Sequence, residues 1–380
     1  MRIGIDARLW NETGVGRYIR NLVWQLQELD KQNEYVLFVR QGIRDQGLGT
    51  REKNWKIVET DIKWHTIQEQ LQFPKILEKE NLDIVHFPYF SVPIFYNRPF
   101  VITIHDLIIN HYPTGKASTL PSPIYYFKLM GYKFVIRRAA QKSQKILTVS
   151  QATKDEIVKH LGVSKEKVIV TYEGVEHRDQ GIGNREKKEK ILPFTLNTSS
   201  YFLYVGNAYP HKNLERLIDA FTLIVKDYPD VKLVLVGKKN YFYERLEQRV
   251  KAMYMDKHIL FTGDITEEEL ISFYRHANSL ILPSLMEGFG LPGLEAMEAG
   301  CLVIASDIPA FKEIYQDAAI YFNPLEIESL SATIRKVLTD RKKFQSFIEK
   351  GKKRLTNFSW ERMAEETVKI YESSTGVRSD

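Results

Sequence analysis

The chain has 380 residues, of which 43% are hydrophobic and 27% are charged, and its formal net charge at pH 7 is +6. This composition is ordinary for a soluble globular protein, and the length favours two domains over one. No apolar run reaches the roughly 18 residues that span a membrane, and the N-terminal segment lacks the apolar core of a signal peptide. The single cysteine, Cys301, excludes an internal disulfide and a multi-cysteine metal site. We therefore expect a cytoplasmic protein.

Short runs of aliphatic, β-branched and aromatic residues alternate with helical patterns along the chain. Such runs, apolar on both faces, are typical of buried parallel strands, and the alternation predicts repeated βαβ units. In the first half they are Arg2–Ile5, Tyr35–Val39, Lys56–Val58, Ile84–Phe87, Val101–Ile104, Lys145–Val149 and Val168–Thr171. In the second half they are Phe202–Val205, Leu233–Val236, Ile259–Thr262, Leu280–Leu282, Val303–Ala305 and Ala319–Phe322.

A polar, glycine-bearing segment, Arg178–Lys190, separates the two sets of strands and is interpreted as a linker between domains. We predict an α/β fold of two Rossmann-like, doubly wound parallel-sheet domains. The first covers residues 1–185 and is completed by a C-terminal helix at residues 358–375, and the second covers residues 191–357. Ligands of such folds bind beyond the carboxyl ends of the strands, so functional residues are expected in the loops there, in a cleft between the domains.

A glycine-containing loop, Gly14–Arg17, follows the first predicted strand. It resembles part of a dinucleotide-binding fingerprint, but position 19 is isoleucine instead of the third glycine, so the pattern alone is weak. Gly16 is the residue selected for close approach of the backbone to a ligand.

His105 and Asp106 follow the predicted strand Val101–Ile104. A single histidine beside an apolar strand is more often structural than catalytic. Its position at the carboxyl end of a parallel strand reverses that preference. We select His105 as a candidate functional residue and expect Asp106 to orient the loop.

A basic, aromatic-rich segment covers residues 114–145 and contains no acidic residue. Its cations are Lys116, Lys128, Lys133, Arg137, Arg138, Lys142 and Lys145. A helix of this composition can lie on an anionic membrane surface, but core packing with snorkelling cations explains it equally well. No recognised nucleic-acid-binding module accompanies the segment, so nucleic acid is not an expected partner.

The segment Tyr204–Leu214 follows the first predicted strand of the second half. A glycine turn with a lysine at a helix start can neutralise a phosphate group by point charge. Lys212 is the candidate for this role, and the alternative is a solvent-exposed lysine.

The most informative segment is Glu287–Gly300, which follows the predicted strand Leu280–Leu282. Gly290 lets the backbone come close to a ligand, and Pro292 suits a helix start. The free amides and positive dipole of a helix N-terminus favour an anion such as a pyrophosphate. Glu287 and Glu295 offer carboxylates that can accept hydrogen bonds from the vicinal hydroxyls of a sugar and a ribose.

Glu287 and Glu295, with seven residues between them, resemble the E-x7-E motif of the family 4 glycosyltransferases, which have the GT-B fold, and the resemblance covers essentially the whole chain. It implies that Glu287 contacts the donor sugar and that Glu295 holds the nucleotide ribose. It also implies that the backbone amides of Phe289, Gly290 and Leu291 hold the sugar and phosphates of the donor.

The resemblance extends to the family's G-R-x-x-x-(x)-R-K-N segment, in which the arginine and lysine bind the donor diphosphate. Lys212 matches the lysine, whereas Asn207 and His211 stand where many members have arginine. For His105 the resemblance implies a position facing the donor sugar, and for Gly16 one facing the donor phosphates and the acceptor. The nucleotide base is expected against the backbone near Ile265.

The expected function is transfer of a hexose from a nucleotide-diphosphate donor, GDP- or UDP-linked, to a glycan or lipid-linked acceptor in polysaccharide or glycoconjugate biosynthesis. The family implies retention of configuration. No Asp-x-Asp pair occurs in the sequence, so we expect neither a metal ion nor a cofactor. A nucleotide-sugar epimerase of the same fold and a non-catalytic nucleotide-sugar-binding subunit remain alternatives. A glycosidase and a nicotinamide dehydrogenase fit the motifs less well.

Overall fold

The computed structural model describes residues 1–43, 53–113, 122–175 and 200–375. Contacts within the chain divide it into two compact units. The first consists of Met1–Leu107, Leu120–Gly174 and Phe358–Asp380, and the second of Ile108–Thr119 and Val175–Asn357. The predicted linker, Arg178–Lys190, and the predicted boundary between residues 185 and 191 lie outside the described residues.

The described part of the first unit is built on one parallel sheet with the strand order β3-β2-β1-β4-β5-β6-β7. Its strands are β1 (Arg2–Asp6), β2 (Glu34–Val39), β3 (Trp55–Glu59), β4 (Ile84–Phe87), β5 (Phe100–Ile104), β6 (Ile146–Thr148) and β7 (Val168–Val170). Its helices are α1 (Gly14–Leu29), α2 (Ile67–Glu78), α4 (Ser122–Lys142), α5 (Gln151–Leu161) and α13 (Trp360–Thr375). Helix α13, at the end of the chain, packs on α1.

The described part of the second unit has a parallel sheet with the strand order β10-β9-β8-β11-β12-β13. Its strands are β8 (Tyr201–Val205), β9 (Lys232–Val236), β10 (Ile259–Gly263), β11 (Ser279–Leu282), β12 (Val303–Ser306) and β13 (Ile320–Phe322). Its helices are α3 (Ile108–His111), α6 (Leu214–Val225), α7 (Tyr241–Ala252), α8 (Glu267–His276), α9 (Leu291–Glu298), α10 (Pro309–Tyr315), α11 (Ile327–Thr339) and α12 (Gln345–Leu355).

Both sheets reverse their winding direction once, between β1 and β4 in the first unit and between β8 and β11 in the second. At such a switch point the loops after the two central strands diverge to opposite faces of the sheet and leave a crevice between them. Each unit therefore has one crevice that its topology predicts as a ligand site.

The apolar periodicity of the helices explains how they cover the sheets. In α6, Leu217, Ile218 and Phe221 recur at helical spacing and are fully buried in the core of the second unit. Helix α8 begins with a capping box in which the Thr266 hydroxyl accepts from the Glu269 amide and the Glu269 carboxylate accepts from the Thr266 amide. The start of α8 is thereby fixed at the end that follows β10.

The predicted fold class, two doubly wound parallel-sheet units, is confirmed, and every strand run named from the sequence coincides with a strand to within about two residues at either end. Among the described residues, no helix combines the length and the apolar character that crossing a membrane requires.

Candidate functional site

The candidate site of the second unit lies at its switch point, in the loops that follow β8 and β11. The loop after β8 contains a short 3-10 turn, Pro210–Lys212, that leads into α6. The loop after β11 leads into α9. Because β8 and β11 are neighbours in the sheet, the motifs Tyr204–Leu214 and Glu287–Gly300 lie side by side although they are far apart in the sequence.

The centre of the site is an ion pair between the two loops. Lys212 Nζ lies 2.5 Å from Glu287 Oε1, and the two side chains are only 17% and 14% exposed. The Ser284 hydroxyl donates a second hydrogen bond to the same oxygen at 2.7 Å. Burial by itself would raise the pKa of Glu287, but the positive charge of Lys212, helped by these hydrogen bonds, holds it below its usual value. Glu287 is therefore a carboxylate at neutral pH.

His211 is a neutral imidazole in the position where the family often has a cation. Its side chain is buried, and burial together with the nearby Lys212 charge lowers its pKa to about 4. Its ring stacks at 6.1 Å on Tyr209. Its carbonyl oxygen accepts a hydrogen bond from the Leu285 amide at 2.7 Å, which ties the two loops together. His211 thus contributes packing and loop geometry instead of charge.

Asn207 lies half-buried in the turn that ends β8. Its Oδ1 accepts a hydrogen bond from the Tyr209 amide at 3.3 Å, and its carbonyl oxygen accepts one from the Tyr204 hydroxyl at 2.5 Å. The Tyr243 hydroxyl, on α7, donates to the carbonyl oxygen of Gly206 at 2.7 Å. Three polar contacts therefore fix this turn, in which Asn207 brings no charge.

Asn213 organises the site, although the sequence reasoning assigned it no role. It is buried in a left-handed conformation with φ of 61°. Its Nδ2 donates to the carbonyl oxygens of Pro283 at 3.0 Å and Pro324 at 2.9 Å. It thereby joins the loops that follow three strands, β8, β11 and β13. The signal in the sequence is an asparagine directly before a helical pattern, a residue type that tolerates the left-handed region.

The start of α9 is shaped by Tyr315. The Tyr315 hydroxyl donates to the carbonyl oxygen of Gly290, whose φ is +110°. A Cβ added at Gly290 would lie 2.2 Å from the Tyr315 oxygen, and one at Gly293 would lie 2.3 Å from the Tyr315 ring. The space that a side chain of residue 290 would occupy is therefore filled by this buried tyrosine, and the approach of a ligand to the Gly290 backbone stays a prediction.

The remaining residues of the motif occupy defined positions. Leu291 is the first residue of α9 and Pro292 the second, one place later than predicted. Phe289 is buried. No acidic residue lies in the first turn, so the positive end of the helix dipole is not offset there.

Glu295 is buried on α9, where its Oε2 accepts a hydrogen bond from the Tyr274 hydroxyl at 2.9 Å. This bond orients the carboxylate, a group that only accepts hydrogen bonds when ionised. Ile265 lies half-buried in the loop between β10 and α8.

In the first unit, His105 follows β5 and is held on three sides. Its Nε2 lies 3.0 Å from the carbonyl oxygen of Pro88, and its Nδ1 lies 3.5 Å from Oε1 of the buried Glu173. The edge of Tyr18 meets its ring at a centroid distance of 4.9 Å. Glu173 and Tyr18 were not singled out from the sequence, because neither belongs to a recognisable motif.

Gly16 lies buried near the start of α1. A Cβ at this position would approach the carbonyl oxygens of Trp10 at 2.6 Å and Leu9 at 2.8 Å. The loop after β1 thus requires glycine here for its own packing, and a role of Gly16 towards a ligand stays a prediction.

Comparison with known protein families matches two models that together cover most of the chain. Residues 13–179 match the model described as Glycosyltransferase Family 4, and residues 185–354 match the one described as Glycosyl transferases group 1.

Two similar curated proteins are O-antigen mannosyltransferases. The O-antigen chain mannosyltransferase RfbU of Salmonella typhimurium is 28% identical over 274 residues, which are 72% of this chain and 70% of that protein. The O-antigen chain mannosyltransferase B of Escherichia coli is 26% identical over 296 residues, which are 76% of this chain and 74% of that protein.

Solved structures share the fold at low identity. Sucrose-phosphate synthase from Thermosynechococcus elongatus has a TM-score of 0.75 at 19% identity and covers 98% of each chain. HepE of Anabaena in complex with UDP-glucose has a TM-score of 0.73 at 14% identity, covering 98% of this chain and 100% of that chain. These similarities confirm the predicted GT-B fold.

Proposed function

We propose, from the premise that this chain belongs to glycosyltransferase family 4, that it transfers mannose from a GDP- or UDP-linked donor to a glycan or lipid-linked acceptor during cell-surface polysaccharide biosynthesis. Mannose is chosen because both O-antigen relatives are named mannosyltransferases. A nucleotide-sugar donor agrees with the complex of HepE with UDP-glucose. Family membership suggests retention of configuration.

The observation that carries the proposal is the Lys212–Glu287 pair at the switch point of the second unit, next to the start of α9. A cation and a helix N-terminus are suited to a diphosphate, and a fixed carboxylate is suited to sugar hydroxyls. As the bond between the sugar and the diphosphate breaks, negative charge develops on the leaving phosphate. Lys212 and the α9 dipole would stabilise that charge where it forms.

Glu295 is proposed to hold the ribose. The Tyr274 hydroxyl fixes one carboxylate oxygen at 2.9 Å, and a carboxylate is a group that accepts hydrogen bonds from a pair of vicinal hydroxyls. The base is proposed to lie against the backbone near Ile265. In transferases with an Asp-x-Asp pair, a divalent metal stabilises the negative charge on the leaving diphosphate. Here Lys212 is proposed to stabilise that charge, so we propose transfer without a metal or other cofactor.

On the first unit, His105 is proposed to contact the donor sugar. Two acceptor groups, the Pro88 carbonyl oxygen and the Glu173 carboxylate, flank its ring nitrogens and fix the orientation of the ring. A ring that is fixed in this way loses no conformational freedom when a sugar contacts it.

The acceptor is proposed to be presented at an anionic membrane surface that α4 contacts. Large apolar side chains are exposed along this helix at i, i+3 and i+7 spacing, with Phe127 at 79%, Met130 at 71% and Phe134 at 60%. Between Ser122 and Lys142 the helix contains cations but no acidic residue. An apolar stripe flanked by positive charges is typical of interfacial helices.

The donor site is tested with the purified protein, GDP-mannose, UDP-glucose and short mannose oligosaccharides as acceptors. Transfer to the oligosaccharide is expected, Glu295→Ala should raise the KM for the donor, and Glu287→Ala should mainly lower kcat. Glu328→Ala, an exposed glutamate on α11, is the matched control and should be fully active. Full activity of both Glu287→Ala and Glu295→Ala contradicts the assignment.

The same assay separates the remaining alternatives. An epimerase would release free sugar in the absence of acceptor, and a non-catalytic subunit would neither transfer nor hydrolyse any donor. EDTA should leave the rate unchanged, and strong inhibition would reject metal-free transfer.

Membrane contact is tested by sedimentation with vesicles that contain anionic phospholipid. Phe127→Ser should reduce binding several-fold, whereas Ile67→Ser, which is equally exposed on α2 at 79%, should not. Equal sedimentation of both variants with the unmodified protein contradicts the role of α4.

A further inference from the structure

A cavity of about 500 Å³ lies in the second unit, between the starts of α6 and α7. The loop after β8 contributes Tyr209 and Pro210 to its wall, α6 contributes Glu215 and Arg216, and α7 contributes Phe242 and Arg245. Its volume is within the range of small-molecule sites, about 300–1,000 Å³. Lys212, Glu287 and Glu295 do not line it, whereas Asn213 and Leu285 do, so it borders the proposed donor site without including its charged residues.

The aromatic part of the wall is rigid. Tyr209 is 43% exposed, and its ring is stacked on His211 at 6.1 Å and meets Phe242 edge to face at 5.2 Å. Its backbone amide donates to Asn207 Oδ1 at 3.3 Å. These contacts hold the ring in place, so little ordering cost is expected when a ligand packs on its exposed surface.

The charged part of the wall is balanced between acids and guanidinium groups. Asp219 is already paired with Arg249 at 2.5 Å. The Glu215 carboxylate lies 3.9 Å from Arg249, but its side chain is 65% exposed, so Glu215 and the exposed Arg245 are accessible to a ligand. Because the wall carries both carboxylates and guanidinium groups, it gives little net electrostatic attraction for a strongly charged ligand. Both groups are planar and can each bind a pair of hydroxyls.

We propose that this cavity is a second carbohydrate site, which holds a pyranose ring of the acceptor glycan away from the reacting centre. The C–H face of the sugar packs on Tyr209, where the negative face of the aromatic ring is favourable, and vicinal hydroxyls bond to Glu215 and Arg245. The choice of a glycan as the ligand rests on the proposed function, whereas the cavity and its wall do not. A site of this kind raises the effective concentration of the acceptor end near the enzyme and favours longer acceptors.

The test is saturation-transfer NMR and calorimetry with mannotriose on the full chain, with saturating GDP or UDP present to occupy the donor site. Mannotriose should bind, and Arg245→Ala and Tyr209→Leu should each weaken binding about tenfold. The matched controls are Arg275→Ala on α8 and Tyr254→Leu, both exposed elsewhere in the second unit, which should bind normally.

Activity provides a second readout. Arg245→Ala should raise the KM for a mannose oligosaccharide of six or more residues while leaving the KM for a single mannoside and the rate of donor hydrolysis unchanged. Unaltered mannotriose binding in both cavity variants, or displacement of mannotriose by the nucleotide, overturns the proposal. Failure of the proposed function would be visible separately, as absence of donor turnover in the unmodified protein.

Discussion

Lys212 Nζ lies 2.5 Å from Glu287 Oε1, and this ion pair joins the loops that follow the two strands at the switch point of the second sheet. The two residues are 75 positions apart in the sequence, and each belongs to a motif assigned to the donor. The ion pair therefore fixes the two residues relative to each other before a donor binds. Lys212 is predicted to bind the diphosphate of the donor, and Glu287 is predicted to bind its sugar.

The first prediction concerns the stability that this pair provides. Lys212→Met leaves the buried Glu287 carboxylate with Ser284 as its remaining bonded neutral partner, so the free energy of unfolding should fall by about 2–3 kcal/mol. The double variant Lys212→Met, Glu287→Gln removes both charges and should recover at least half of that loss. Urea unfolding at pH 7 measures all variants in a double-mutant cycle. Strictly additive losses would show that the two side chains are not coupled.

The second prediction concerns pH and His211. The pKa of His211 is lowered to about 4 in the folded protein by burial and by Lys212, with Glu287 opposing, whereas the unfolded chain has the ordinary value of about 6.5. The unfolded state therefore binds more protons between these values, and this contribution to stability is complete above about pH 6.5 and is lost as the pH falls towards 4. Between pH 7 and 5 the loss should be about 2 kcal/mol.

His211→Gln removes this titration, so its free energy of unfolding should decline less between pH 7 and 5 than that of the unmodified protein. His86, whose pKa burial lowers to about 3, contributes a loss in the same direction to both proteins and therefore cancels in the comparison. Parallel stability curves for the two proteins over this interval would contradict a neutral, buried His211.

The third prediction concerns the fit of Tyr315 against α9. A methyl group at Gly293 would lie 2.3–2.6 Å from the Tyr315 side chain, which is fully buried and bonded to Gly290. Gly293→Ala should therefore destabilise the protein by about 1–3 kcal/mol through overpacking. Gly131→Ala on α4 is the control, since a Cβ there meets nothing within 4 Å, and it should be neutral or stabilising by up to about 1 kcal/mol.

Thermal unfolding of the two glycine variants gives the comparison directly. Equal melting temperatures would mean that Tyr315 moves away at little cost, and the start of α9 would then not depend on this contact.

The strands could be predicted from the sequence because buried parallel strands are apolar on both faces and lie between helical patterns. The order of the strands within each sheet could not be predicted from those runs alone. The alternation of strands with helices favoured doubly wound sheets, and the structure has two of them. Lys212 could be selected because it stands at a helix start after a strand and a glycine turn, and Glu287 because it follows a strand and precedes a glycine. That they pair with each other depends on β8 and β11 being neighbours, which is a property of the sheet.

The supporting residues were beyond the reach of sequence reasoning for a physical reason. Tyr315, Tyr243 and Asn213 act on backbone carbonyl oxygens that are distant in the chain, and no local pattern encodes such contacts. Gly290 is an example of such a long-range contact that the local sequence does not predict. Its sequence context predicts close approach of a ligand, while the space that a side chain would occupy is filled by Tyr315 and Phe311.

The last prediction restores the charge that the family often has at position 207. Asn207 follows β8 in the same loop as Lys212, and the hydrogen bond from the Tyr209 amide to its Oδ1 is long at 3.3 Å. Asn207→Arg would place a guanidinium where the family's arginine binds the donor diphosphate. A hydrogen bond to a charged group contributes about 1.5–3 kcal/mol, more than the weak neutral bond that is lost. The KM for the donor should therefore fall about five- to tenfold.

Steady-state kinetics with the donor identified in the transfer assay measures the effect. Since the added contact is made to the diphosphate in both the ground state and the transition state, kcat should change little. Asn207→Gln adds length without charge and is the matched control, with a KM equal to or above that of the unmodified protein. If Asn207→Arg bound the donor no better than Asn207→Gln, the diphosphate would not lie beside the end of β8, and the role assigned to neighbouring Lys212 would fail with it.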